Sequence, residues 1–130
     1  MARPPFEVRI KRVYDPPEED DGVRILVDRL WPRSPRKERV AVTSWLKEVA
    51  PSWELRKWFG HDPARWAEFS RRYRSELVRN RYAIAKLAGL SRGEPVALLY
   101  AAHDAEHNHA LVLADYIRRY RKDFDGHRSA

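Results

Sequence analysis

Residues 103–109 read His-Asp-Ala-Glu-His-Asn-His and hold three of the chain's five histidines. An imidazole beside a carboxylate titrates near neutrality and can move a proton to or from a substrate. His103, Asp104 and His109 are therefore the candidate acid–base groups, and His107 and Asn108 the candidate ligand contacts of the same loop. The spacings His103–His107 and His107–His109 also suit chelation, with Asp104 or Glu106 adding oxygen. The i, i+4 pair converges only on a helix, and this stretch reads as a loop, so no metal is assigned. A plainer use stays open: Asp104 or Asn108 caps the next helix while the imidazoles bond backbone.

A second group of charges interrupts the otherwise apolar run VRILVDRLW. Asp28 and Arg29 need partners if they are buried there. Arg29 either bridges to a carboxylate at the sheet edge or joins Arg33 in a guanidinium fork for a phosphate or carboxylate. Asp28 would then orient an arginine or a histidine. His61, in His61-Asp62-Pro63, reads as a helix entry.

Other chemistries are excluded. With no cysteine there are no disulfides, thiolate metal sites or thiol nucleophiles. The five glycines form no phosphate-cradling loop, and no serine sits in a G-x-S-x-G elbow.

The elements that must position these groups follow from periodicity. Residues 6–13 alternate apolar and charged, as a half-buried strand does, and residues 23–31 form a second strand ended by Pro32. A basic loop spans 33–40. Thr43-Ser44 offers an N-cap to a short helix through Val49, and Ser52 caps another, WELRKWF, stopped by Gly60. Asp62 and Pro63 open a long helix to about Asn80, whose Trp66, Phe69, Tyr73 and Leu77 share one core face. A further helix covers 81–91. Residues 95–102 are an unbroken apolar run, expected for a strand buried on both faces. A last helix covers about 108–121, before a frayed tail.

This order predicts a single α/β domain: a small three-layer sandwich of three or four mainly parallel strands with helices on both faces. Ligands of such sheets bind beyond the carboxyl ends of the strands. That rule would gather Asp28, Arg29, Arg33 and the histidine loop into one pocket for an anionic small molecule.

The chain has 130 residues, 43% of them hydrophobic, enough for one core. No stretch approaches the ~20 apolar residues of a membrane span, and MARPPFEVRI lacks an apolar signal core, so a cytoplasmic protein is expected. The formal charge is +7, with the basic excess spread over both halves. A nucleic-acid-binding accessory protein is thus the alternative, using Arg33, Arg36, Arg71, Arg72, Arg74 and the run Arg118–Arg121. A third option is an interaction module using a surface tryptophan, Trp31 or Trp53, toward a partner or a second copy.

KRVYDPP, DGVRILVDRLWPR, SWLKEVAPSWELRKWFGHDPARWAEFSRRYRSEL and LLYAAHDAEHNHALVLADYI occur in this order over residues 6–118. Together they resemble the domain-of-unknown-function 488 family, in its short YeaO-like branch. The resemblance implies a compact bacterial or archaeal cytoplasmic α/β protein and implies no activity. Other branches carry a cysteine and a Cys-His-Arg signature near the last strand and loop. Tyr100 and Asn108-His109-Ala110 stand at the corresponding places, so only His109 is retained.

Overall fold

A computed structural model of the chain describes residues 7–32 and 41–119. Four strands, β1 (Val8–Arg12), β2 (Val23–Leu26), β3 (Ser44–Trp45) and β4 (Val96–Tyr100), form one all-parallel sheet in the order β1-β4-β2-β3. The α-helices among these residues are α1 (Trp53–Phe59), α2 (Trp66–Arg79), α3 (Arg81–Ser91) and α4 (His109–Arg119). The expected basic loop, with Arg33, Arg36 and Lys37, lies outside the described residues, as does the chain from Tyr120.

β4 is flanked on both sides, which is why all five of its residues are buried and its sequence is apolar throughout. Val96, Leu98 and Tyr100 join the main core with the helices, whereas Ala97 and Leu99 face a smaller cluster with Val13, Leu26, Trp31 and Val42. On α2, Phe69, Tyr73 and Leu77 are buried at the expected spacing and Trp66 packs partly against them. Ser52 accepts the Leu55 N–H at 3.2 Å, and Gly60 ends α1 in the left-handed region, as their types predict.

One expectation is corrected. Residues 44–49 are not a helix: Ser44 and Trp45 extend the sheet beside β2, and only Lys47–Val49 makes a 3-10 turn. The reason is the open edge of β2, whose backbone groups need partners. Arg24 supplies one end of this pairing, donating its N–H to Thr43 Oγ1 at 3.2 Å and accepting the Thr43 N–H at 2.8 Å. The parallel sheet and its helices make the expected small α/β fold. Among the described residues, the helices share the main core. The connection from β1 to β2 is too short for a crossover helix, so a loop with one 3-10 turn, Glu19–Asp21, lies on the second face.

That loop is pinned by charge. Asp21 is buried and accepts from Arg24 Nη1 at 2.7 Å, Lys11 Nζ at 3.0 Å and the Glu18 N–H at 3.0 Å. Burial alone would raise its carboxyl, but the Glu18 N–H, Arg24 and Lys11 outweigh it and hold it at about 2.

Candidate functional site

β2 and β4 are neighbours, and the chain leaves them in different directions. After β4 it runs to α4 in the main core, whereas Trp31, after β2, packs in the cluster on the opposite face. Diverging connections open a crevice beyond the carboxyl ends of the strands. A cleft of about 250 Å³ lies there. Asp28, Arg29, His107, Asn108 and His109 line it, so the structure brings together five of the eight sites expected from sequence.

Asp28 and His109 form its floor. Val27 keeps the sheet ladder, donating its N–H to the Leu99 carbonyl at 3.0 Å, and the next residue turns inward. Asp28 Oδ2 accepts the Ala101 N–H at 3.1 Å, which ties the exit of β2 to that of β4. Asp28 Oδ1 lies 3.4 Å from His109 Nε2 and is buried without a hydrogen-bond donor. His109 Nε2 lies 2.9 Å from the Val27 carbonyl. A carbonyl only accepts, so Nε2 carries the hydrogen. The ring also meets Tyr73 edge-on, with centroids 6.1 Å apart. Burial pushes the Asp28 carboxyl above its ordinary value, against the pull of His109, the Ala101 N–H, Arg56 and His61.

The 103–109 loop is spent mainly on its own architecture. Asp104 Oδ1 accepts the Glu106 and His107 N–H groups at 2.8 and 3.1 Å, and Oδ2 lies 2.9 Å from His107 Nδ1. These N–H groups and the imidazole hold the Asp104 carboxyl below the usual range. Asn108 is buried; its Oδ1 accepts the Leu111 N–H at 3.2 Å and caps α4, while its amide donates to the Asp104 carbonyl at 3.0 Å. Of the two candidate caps, Asn108 caps α4, and Asp104 instead holds the loop before it. His103 is exposed and does not line the cleft. His103, His107 and His109 do not gather as a set of metal ligands; among the described residues only Glu18, Asp20 and Asp21 come close enough, and these face Arg9, Lys11 and Arg24.

Arg29 bridges to no carboxylate among the described residues. Its Nε and Nη2 donate to the Pro51 carbonyl at 3.2 and 2.9 Å, and Nη2 reaches the Ala50 carbonyl at 3.3 Å. Much of its fork is thus used on backbone, and Arg33 lies outside the described residues. The exposed guanidinium at the cleft is Arg56 of α1, stacked 5.4 Å from the Trp53 ring on the side chain next to Arg29. Sequence reasoning did not select Arg56, Phe59 or Phe69, because they belong to helices whose docking decides which residues reach the strand ends. His61 also lines the cleft, held at a φ of 58° that is uncommon for a non-glycine residue and visible only in the structure.

The family model described as "Inactive DUF488-N3 subclade" matches residues 7–130. The chain is 47% identical over 113 residues to the uncharacterized protein YeaO of Escherichia coli (strain K12), covering 87% of this chain and 98% of that protein. It is 44% identical over 110 residues to the uncharacterized protein Rv3073c of Mycobacterium tuberculosis (strain ATCC 25618 / H37Rv), covering 85% and 92%. An uncharacterized protein of Mycobacterium bovis, Mb3100c, matches to the same extent. No solved structure matches. The motifs, the parallel α/β sheet and these matches agree: the chain belongs to the DUF488 family, with YeaO among its relatives.

Proposed function

We propose that this protein binds a small anionic molecule in the cleft beyond β2 and β4. The observation that carries this reading is the charge of the lining: two guanidinium groups, Arg29 and Arg56, stand against one carboxylate, Asp28. A cleft with low-dielectric walls and an excess of positive charge concentrates anions. Arg56 would hold the anion, His107 and His109 would line its place, and Arg29 would fix the 50–51 backbone that forms one wall.

Binding without turnover fits better than acid–base catalysis. The Nε2 hydrogen of His109 is engaged by the Val27 carbonyl, and the family description names an inactive subclade. A cytoplasmic setting belongs to the same proposal, supported by the absence of cysteine. No helix among the described residues is long and apolar enough to cross a membrane.

The test is a titration with sodium acetate and with inorganic phosphate, followed by two-dimensional amide NMR at constant ionic strength. Saturable shifts confined to residues 28–30 and 101–109, and lost in Arg56→Gln, are expected. No saturable shift with either anion, or shifts indifferent to Arg56→Gln, would refute the proposal. Among the described residues, the cations of the nucleic-acid alternative are engaged within the protein: Arg71 and Arg72 bond Glu68, Arg74 pairs with Asp115, and Arg118 donates to the Val8 carbonyl.

A further inference from the structure

We infer that the ligand of this cleft is a monoanion with a compact apolar body, an aryl or branched-alkyl carboxylate, rather than a bare inorganic anion or a polyanion. The inference rests on the anion-binding reading above and adds the ligand's uncharged part. Beside its charged groups the cleft is walled by Leu30, Pro51, Phe59, Phe69, Ala101 and Ala102, none of which can hydrogen-bond through its side chain. Phe59 and Phe69 stack with centroids 4.3 Å apart and present an aromatic wall. Leu30, 51% exposed, adds an aliphatic side chain to the rim of the cleft.

Charge and size set the rest. Asp28 sits on the floor, so a second negative charge pushed inward would meet a carboxylate, and one anionic group near the exposed Arg56 is the favoured count. The space of about 250 Å³ suits a body the size of one substituted ring and is small for an extended chain. The Trp53 ring, 50% exposed and flanked by Arg29 and Arg56, continues the apolar surface beside the guanidinium. This combination, an apolar body with one charge, is what separates the cleft from a surface arginine cluster.

The experiment compares acetate, benzoate and inorganic phosphate as probes by the same NMR titration, on wild type and on Leu30→Asn. Leu30 is exposed, so this variant is expected to fold. Ala102→Leu, which would fill the cleft, is the second variant. Benzoate is expected to bind at least about tenfold more tightly than acetate, from burial of its ring. Phosphate should bind no more tightly than acetate. Leu30→Asn should reduce the benzoate-to-acetate ratio by about threefold, and Ala102→Leu should abolish benzoate binding while acetate still shifts the Arg56 side chain. Equal affinities for acetate and benzoate, tighter binding of phosphate, or a ratio unmoved by Leu30→Asn would overturn the inference and leave the anion site standing. Binding of none of the three would overturn both.

Discussion

Replacing Asp28 with Asn should make the protein more stable at neutral pH and, by removing the carboxylate of the cleft, should tighten acetate binding. The Asp28 side chain is 19% exposed, and its Oδ1 is buried with no donor. A buried, charged acceptor left unpaired costs about 3 kcal/mol, roughly 2 kcal/mol more than an unpaired amide N–H. An amide at this position keeps an oxygen for the Ala101 N–H and removes the charge, while its NH2 stands beside the His109 Nε2 hydrogen without an acceptor. What is lost is the charge-assisted part of the Ala101 bond and the attraction to His109 at 3.4 Å, together about 1 kcal/mol at a site partly open to water. The net gain is about 1 kcal/mol, or a rise of about 4 °C in Tm for a domain of this size.

The pH dependence fixes the sign. Burial, the largest influence, raises the folded-state value of Asp28 above its ordinary one. The folded state therefore favours the neutral acid, and the penalty of the ionised form is fully present above the raised value. It fades as pH falls through that value toward the ordinary carboxylate range. The advantage of Asp28→Asn should be largest at neutral pH and vanish near about pH 4. Urea denaturation of both proteins, followed by tryptophan fluorescence across this range, measures it. If Asp28→Asn is instead the less stable protein at neutral pH, Asp28 is a structural clamp between the exits of β2 and β4, and its place as a functional carboxylate is lost. A stabilised variant with unchanged acetate binding would equally remove Asp28 from the site.

The second face offers a contrasting carboxylate. Asp21→Asn should destabilise by about 3 kcal/mol in urea at neutral pH, because Arg24 and Lys11 lose a buried counter-ion. With a folded value of about 2, Asp21 contributes stability above its unfolded value, and the difference should disappear as acid titrates it toward about 2. Gly22→Ala should cost at least about 2 kcal/mol by thermal melting, since Gly22 has φ +70° and an added Cβ would collide with the Pro95 carbonyl; a neutral effect would mean that the β1–β2 connection is not held against β4. Tyr73→Phe should cost about 1–2 kcal/mol, because the buried hydroxyl donates to the Val49 carbonyl at 2.6 Å and its loss leaves that acceptor unpaired.

Several features could be read directly from the chain because local physics decides them. The apolar run in β4, the aromatic stripe of α2, the Ser52 and Asp62 caps and the Gly60 stop depend on neighbours within a turn or two, and each occurs where its residue types predict. The pairing of Ser44-Trp45 with β2 depended instead on a strand edge nineteen residues away, and so a local capping signal misled. The site divides in the same way. Which residues follow the strand ends is a matter of sequence order, and this brought Asp28, Arg29 and the 107–109 segment to one cleft. Whether a charge there is free or already spent is a matter of long-range geometry. Only packing of the 50–51 segment beside Arg29 occupied its guanidinium with carbonyls, and only docking of α1 carried Arg56 and Phe59 to the cleft. The sequence by itself determined the α/β elements and the end of the sheet at which to look. Tertiary structure decided which cation faces the opening, because hydrogen-bond partners far apart in the chain are chosen only once the layers have packed.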